Sequence, residues 1–258
     1  MQEPPELASV QDSSELVAFY DDAYAKNPTD AALYSRWRAL GAMGKANHVI
    51  ALCARGGVRP LSTLEVGCGD GALLCELARR GVGGRLSGVE ITQAAVAIAS
   101  TRPQIDSVSL YDGLHVPAPD GAYDLGILSH VLEHVPQPAV LLAEVARVCR
   151  AVVVEVPLEA NWSARRASKR EHATEVGHLQ RLDRRAARAI VADAGLSLEG
   201  ELEDALPLAV QRFFATTPAA RSAATAKWAL RSGLHRLAPS LARRLFTVHY
   251  ACLCLPGG

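Results

Sequence analysis

The sequence predicts an α/β protein built on a doubly wound, mostly parallel sheet, with a helical N-terminal cap and a helical insertion before the last strand. Three observations carry that reading. Short apolar, β-rich runs alternate with helix-length stretches from residue 61 to residue 202. This is the pattern of βαβ units, whose crossovers make neighbouring strands parallel. The first of these runs also empties into a glycine-rich turn, Gly67-Cys68-Gly69-Asp70-Gly71, and glycine or proline punctuates the later junctions.

In chain order, residues 12–55 read as helices and hold Tyr20, Tyr24, Tyr34 and Trp37, a large share of the few aromatics. Asn27-Pro28-Thr29-Asp30 interrupts them and offers an N-cap for the helix that follows. Strands are expected at 61–66, 85–91, 107–111, 123–128, 151–156 and 196–202. Helices are expected at 72–80, 93–100, 138–148 and 183–194, the last stopped by Gly195. A polar stretch, 161–180, interrupts the alternation after Pro157. Residues 206–245 are rich in Ala, Leu and Arg and read as helical. The run 245–255 is a candidate seventh strand. The organisation expected is a helical cap or lid at 1–57, a core at 58–205, and a helical insertion plus final strand of the same domain at 206–258.

Composition narrows the function. The chain of 258 residues is 49% hydrophobic and 21% charged, enough for a sizeable core in a soluble protein. Lys plus Arg and Asp plus Glu are both 27, so overall charge lends nothing to nucleic-acid binding. No acidic side chain follows Asp204, while Arg212, Arg221, Lys227, Arg231, Arg236, Arg243 and Arg244 remain; a solvated basic face is the expected reading. The opening residues lack the basic and apolar regions of a signal peptide. No apolar run approaches the roughly 18 residues that span a bilayer. The six cysteines contain no C-x-x-C pair, as in a reducing compartment. A cytoplasmic protein without stable membrane insertion is therefore expected.

The stretch Leu64-Glu65-Val66-Gly67-Cys68-Gly69-Asp70-Gly71 is the most informative. Glycines at a strand-to-helix turn let backbone approach a ligand closely, and the helix N-terminus offers free N–H groups. Gly67, Gly69 and Ala72 satisfy the dinucleotide fingerprint, and Glu90 stands about 20 residues on, where a ribose-binding acid belongs. The loop alone therefore leaves an NAD(P)-dependent oxidoreductase open. Three acids favour another ligand: Glu65 before the glycines, Asp70 among them, and Asp112-Gly113 after the third strand. An acid-lined crevice suits a cationic, phosphate-free nucleoside better than a pyrophosphate.

Taken in order, residues 64–71, Gly88-Val89-Glu90, Tyr111-Asp112-Gly113 and Tyr123-Asp124-Leu125 with Leu132-Glu133-His134-Val135 resemble the successive motifs of class I S-adenosylmethionine-dependent methyltransferases. The similarity is to the branch of ubiquinone- and natural-product-type O-methyltransferases, and it covers roughly residues 60–200. The resemblance implies S-adenosylmethionine as cofactor and a seven-stranded sheet whose last strand is antiparallel. It also implies that Glu65, Gly67, Cys68 and Gly69 surround the methionine moiety. Glu90 with Ile91 would hold the ribose, Asp112 with Gly113 the adenine, and Ser129 or His130 the methionine end. Asp124 is expected to bond to nearby backbone.

Methyl transfer to a hydroxyl needs alignment and a proton acceptor, for which histidine is suited. His178, after the fifth strand, is the first candidate for general base and His134 the second; His48 and His249 receive no role. His130-x-x-Glu133-His134 also matches the inverted zinc-peptidase pattern, so a metallopeptidase is a rival. Related ubiquinone enzymes place Glu, Glu and His at these positions to bind a divalent ion. His130 departs from that set, and no metal is expected. Tyr20, Tyr24 and Trp37 are candidates to line the acceptor pocket. The expected reaction is methylation of a small molecule at a hydroxyl, with N- or C-methylation and a non-catalytic cofactor-binding role as alternatives. A homodimer is compatible with the sequence, and no nucleic-acid partner is expected.

Overall fold

A computed structural model describes residues 28–167, 171 and 177–257; Tyr20, Tyr24 and His172 lie outside them. Seven strands form one sheet: β1 (Ser62–Val66), β2 (Arg85–Glu90), β3 (Ser107–Leu110), β4 (Leu125–Ser129), β5 (Val152–Leu158), β6 (Leu196–Asp204) and β7 (Val248–Pro256). Their spatial order is β3-β2-β1-β4-β5-β7-β6. The first five pair in parallel, and β7 inserts antiparallel between β5 and β6. The order reverses between β1 and β4, which in doubly wound sheets opens a crevice at the carboxyl ends of the strands.

The helices are α1 (Pro28–Arg55), α2 (Ala72–Arg79), α3 (Gln93–Ala99), α4 (Pro138–Val148), α5 (Arg184–Asp193), α6 (Leu208–Arg212), α7 (Pro218–Leu237) and α8 (Pro239–Leu245). Thr92 and Asp183 cap α3 and α5 by accepting from Ala95 and Ala186 N–H groups, as short polar side chains do at a helix start. Gly195, at φ 75°, ends the α5 unit in the left-handed conformation and turns the chain into β6.

The sheet is covered on both faces, which is why β1, β4 and β5 are buried along their whole length. On one face α4 and α5 contribute Leu141, Leu142, Val145, Ile190 and Val191 against Val66, Leu128, Val154 and Tyr250. On the other, Ala42, Ala46, Val49 and Leu52 of α1 pack with Leu73 and Leu77 of α2 on Leu125, Ile127, Val153 and Leu253. Small alanines at 42 and 46 bring α1 close to the strands. Residues 32–41 of α1 are half-buried or exposed. Asp124 accepts from the N–H groups of Leu61 and Ser62 and so ties the start of β4 to that of β1.

The basic segment before β7 is partly neutralised within the fold. Arg243 pairs with Glu203 at 2.7 Å, and the Arg231 guanidinium lies 5.3 Å above the Phe246 ring. Helix α7 has no buried residue, and Leu230 and Leu237 are 73% and 88% exposed.

Candidate active site

The glycine turn crosses the carboxyl end of β1 with Gly67, Gly69 and Gly71 all at positive φ (70°, 53° and 75°), a run that side chains with a Cβ resist. Gly67 and Cys68 both donate to the Val89 carbonyl, at 2.9 and 3.2 Å, which stitches the turn to β2. A Cβ on Gly67 would stand 2.7 Å from Val131 Cγ2, so the turn and the segment after β4 share one wall. The Cys68 side chain is buried against Gly88, where a Cβ would meet its sulfur at 2.6 Å; burial pushes its thiol pKa up.

Glu65 and Glu90 stand at adjacent strand ends and are both buried. Glu90 accepts from the N–H groups of Gly69 (2.9 Å), Ile91 (2.8 Å) and Thr92 (3.3 Å), which fixes its carboxylate at the tip of β2. Glu65 differs: its Oε2 is buried without a hydrogen-bond partner. Burial raises its pKa to about 8, against the pull of Lys45. A buried, unsatisfied carboxyl oxygen beside a side-chain-free turn is suited to a cationic ligand group.

Asp70 plays another part than the sequence suggested. It is buried and paired with Arg38 at 2.9 Å, with Arg102 at 3.7 Å behind it. Its charge is compensated and clamps α1 and the residues after α3 to the turn, so it does not repel a phosphate. Asp112 is exposed and accepts from the N–H groups of Leu114 and His115, at 2.8 and 2.6 Å. Those bonds, with the His115 ring, hold its pKa down at about 2. Gly113, at φ 88°, lies against Ile91, which joins the ends of β2 and β3.

Past β4, Ser129 is buried with its hydroxyl unpartnered, and His130 takes φ 60°. Among the described residues it is the sole non-glycine residue at positive φ, a conformation that costs free energy and often marks a functional position. Leu132–His134 then make one 3-10 turn rather than an α-helix. His130 and His134 are therefore not presented together from one helix, which removes the geometric basis for the peptidase reading.

The segment from Gly177 docks on this turn. Leu179 and Gln180 N–H groups both donate to the Glu133 carbonyl, and the Gln180 side chain reaches that of Val135. His134 Nδ1 lies 3.0 Å from the Gly177 carbonyl. A carbonyl only accepts, so Nδ1 carries the hydrogen and Nε2 of the neutral ring keeps its lone pair. Burial is the largest influence on His134 and lowers its pKa. His178 lies edge-on to it, with ring centroids 4.7 Å apart, and its Nδ1 is 2.8 Å from Glu159 Oε2. Burial opposes charge on Glu159, but the His178 contact outweighs it and lowers its pKa. Glu159 is a carboxylate partner of His178 that the sequence did not reveal: it sits 19 residues from His178, and only the fold joins them.

Trp37, 39% exposed on α1, faces Phe214 with ring centroids 6.4 Å apart. Nearby, Leu33, Arg36, Arg212, Phe213 and Arg221 line an open cavity of about 340 Å³.

Residues 64–152, from the glycine turn to the start of β5, match the family model described as a methyltransferase domain. They are a class I S-adenosylmethionine-dependent methyltransferase domain. The ubiquinone biosynthesis O-methyltransferase of Acinetobacter baumannii is 30% identical over 104 residues, 38% of this chain and 41% of that protein. That of Sodalis glossinidius is 31% identical over 131 residues, 46% and 52% of the two chains. The chain thus matches about half or less of the length of these curated relatives. Among solved structures, magnesium protoporphyrin IX methyltransferase from Synechocystis PCC 6803, with bound S-adenosylhomocysteine, covers 95% of this chain and all of its own (TM-score 0.59, 16% identity). Geranyl diphosphate C-methyltransferase from Streptomyces coelicolor A3(2), in complex with Mg2+, geranyl-S-thiolodiphosphate and S-adenosylhomocysteine, covers 82% and 75% (TM-score 0.58, 16% identity). The shared fold is that of the class I enzymes. No helix among the described residues is long and apolar enough to cross a membrane.

Proposed function

We propose that the protein transfers the methyl group of S-adenosylmethionine to a small molecule, at a hydroxyl deprotonated by His178. The observation that carries the cofactor assignment is the unpartnered Glu65 oxygen buried beside Gly67 and Gly69, within the segment that matches the methyltransferase family. The residues fit the group. The cradle of Gly67 leaves no room for a side chain, and Glu65 offers an anion to an ammonium.

When bound, S-adenosylmethionine supplies an electrophilic methyl on a sulfonium, whose departure as a neutral thioether drives transfer. The chain supplies position and a proton acceptor. Glu90 accepts ribose hydroxyls at the β2 tip, beside Ile91. Asp112 and Gly113 border the adenine, and Ser129 and His130 the methionine end. Nε2 of His178 takes the acceptor's proton, and Glu159 stabilises the imidazolium that forms, as a carboxylate does behind a catalytic histidine. His134 packs on His178 and fixes its approach. Trp37, with Phe214, forms an apolar wall for the acceptor.

Calorimetry with S-adenosylhomocysteine and with NADH tests the first half: binding of the former and not the latter is expected, and the reverse would overturn the assignment. Incubating the protein and S-adenosylmethionine with a metabolite extract tests the second. Mass spectrometry should show a product heavier by one methylene; its absence, with no S-adenosylhomocysteine formed, would leave a cofactor-binding protein without transfer.

A further inference from the structure

Five histidines, His48, His130, His134, His178 and His249, fall in one polar band, and methyl transfer as described uses only part of it. The unused part centres on Glu155, a carboxylate in the middle of the apolar strand β5 and 1% exposed. Its two oxygens face different partners. Oε2 lies 3.2 Å from His48 Nδ1 on α1, whose Nε2 reaches Asp204 of β6 at 3.0 Å. Oε1 lies 3.4 Å from His130 Nε2 after β4 and 3.4 Å from His249 Nδ1 on β7. Neither Glu155 Oε1 nor His130 Nε2 makes a directed hydrogen bond, although both are buried. Buried polar atoms without partners are costly, and each asks for an explanation.

One ligand atom from each of His130, Glu155 and His249 lies within 4.8 Å of the others. Around an ion with bonds of about 2.1 Å, tetrahedral neighbours stand about 3.4 Å apart. Two of the three separations already have that value. The ligand types are two imidazoles and one carboxylate, the set that takes a first-row transition metal rather than Mg2+ or Ca2+. The surroundings are those of a held ligand: His48 occupies the other Glu155 oxygen, and Asp204 orients His48 in turn, as outer-shell groups do around metal ligands. His130 is kept in its costly left-handed conformation, its N–H donating to the Glu155 carbonyl at 2.9 Å.

We propose that His130, Glu155 and His249 bind a divalent first-row transition-metal ion at the edge of the crevice. The ligands come from the β4 end, β5 and β7, so this is a different set from Glu133 and His134. The site shares His130 with the proposed cofactor crevice, while Glu155 and His249 take no part in the transfer described above.

Titration of the metal-free full-length protein with Co2+ tests it, read by visible absorption and calorimetry, with Mg2+ as control. One Co2+ per chain is expected, together with a rise in melting temperature; no Co2+ binding at millimolar concentration overturns the proposal. His249→Gln and Glu155→Gln should each weaken Co2+ at least tenfold, and His48→Gln by about 10–100-fold as an outer-shell change. His178→Gln should leave Co2+ affinity unchanged. Glu133, His134 and His178 form a second group of similar spacing. Loss of Co2+ in His178→Gln with retention in His249→Gln would place the ion there and refute the assignment. If Glu155→Gln fails to fold, the partly exposed His249 decides.

Discussion

Replacing Glu65 by Gln probes the cofactor crevice and separates two effects of one buried carboxyl. Its pKa, held at about 8 by burial, exceeds the ordinary 4.5 of a glutamate. That difference corresponds to about 5 kcal/mol of preference for the neutral form. Below pH 4.5 the folded and unfolded chains are both protonated at this position and it has no effect on stability. Between 4.5 and 8 the unfolded chain ionises it while the folded chain does not, so folding stability falls as pH rises through that window and levels off above it. A ligand ammonium reverses the preference, because it needs the anion. Affinity for S-adenosylhomocysteine should therefore rise by about tenfold per pH unit below 8, roughly a hundredfold from pH 5.5 to 7.5. The ligand's own amino group, with a pKa of about 7.7–8.0, stays largely charged over that range. Calorimetry at three pH values, with thermal melts of the unliganded protein alongside, reads both effects. Glu65→Gln should melt higher than wild type at pH 7.5, bind more weakly there, and lose most of the pH dependence. A wild-type affinity that is flat with pH, or a variant that binds as tightly at pH 7.5, would refute the placement of Glu65 against a cation.

Glu90→Ala should weaken S-adenosylhomocysteine at least tenfold by calorimetry, since charge-assisted hydrogen bonds to a ribose are lost. It should also lower the unfolding free energy by about 1–3 kcal/mol in urea titrations, because the Gly69, Ile91 and Thr92 N–H groups lose their acceptor. His178→Ala and Glu159→Gln should both lower kcat while leaving cofactor affinity nearly unchanged, and wild-type turnover in His178→Ala would remove it as base. Gly67→Ala should cost about 1–3 kcal/mol and impair cofactor binding, because φ 70° and the 2.7 Å approach to Val131 Cγ2 both resist a Cβ. Pairing it with Val131→Ala should recover part of the loss, which melting curves would show.

The sheet was legible in the sequence because each strand is a short apolar run closed by turn residues, and every expected strand falls within a few residues of an observed one. The glycine turn and Glu65, Glu90 and Asp124 were legible too, since a local pattern places them at strand ends. Glu155 left a signal that went unused: one acid in the run Val152-Val153-Val154-Glu155-Val156, where full burial demands a partner. His48 left a weaker one, a polar residue on the α1 face that otherwise buries Ala42, Ala46, Val49 and Leu52.

What the sequence determined by itself was therefore periodicity and turn chemistry: the order of strands and helices, and the side chains that end at strand tips. Those depend on neighbours along the chain. The insertion of β7 between β5 and β6, the pairing of Glu159 with His178, the neutralisation of Asp70 by Arg38, and the meeting of His48, His130, Glu155 and His249 were decided only by tertiary structure. Each joins residues tens of positions apart, or on separate elements, through the stacking of layers. A charge or an imidazole takes its chemical role from what faces it across that stack.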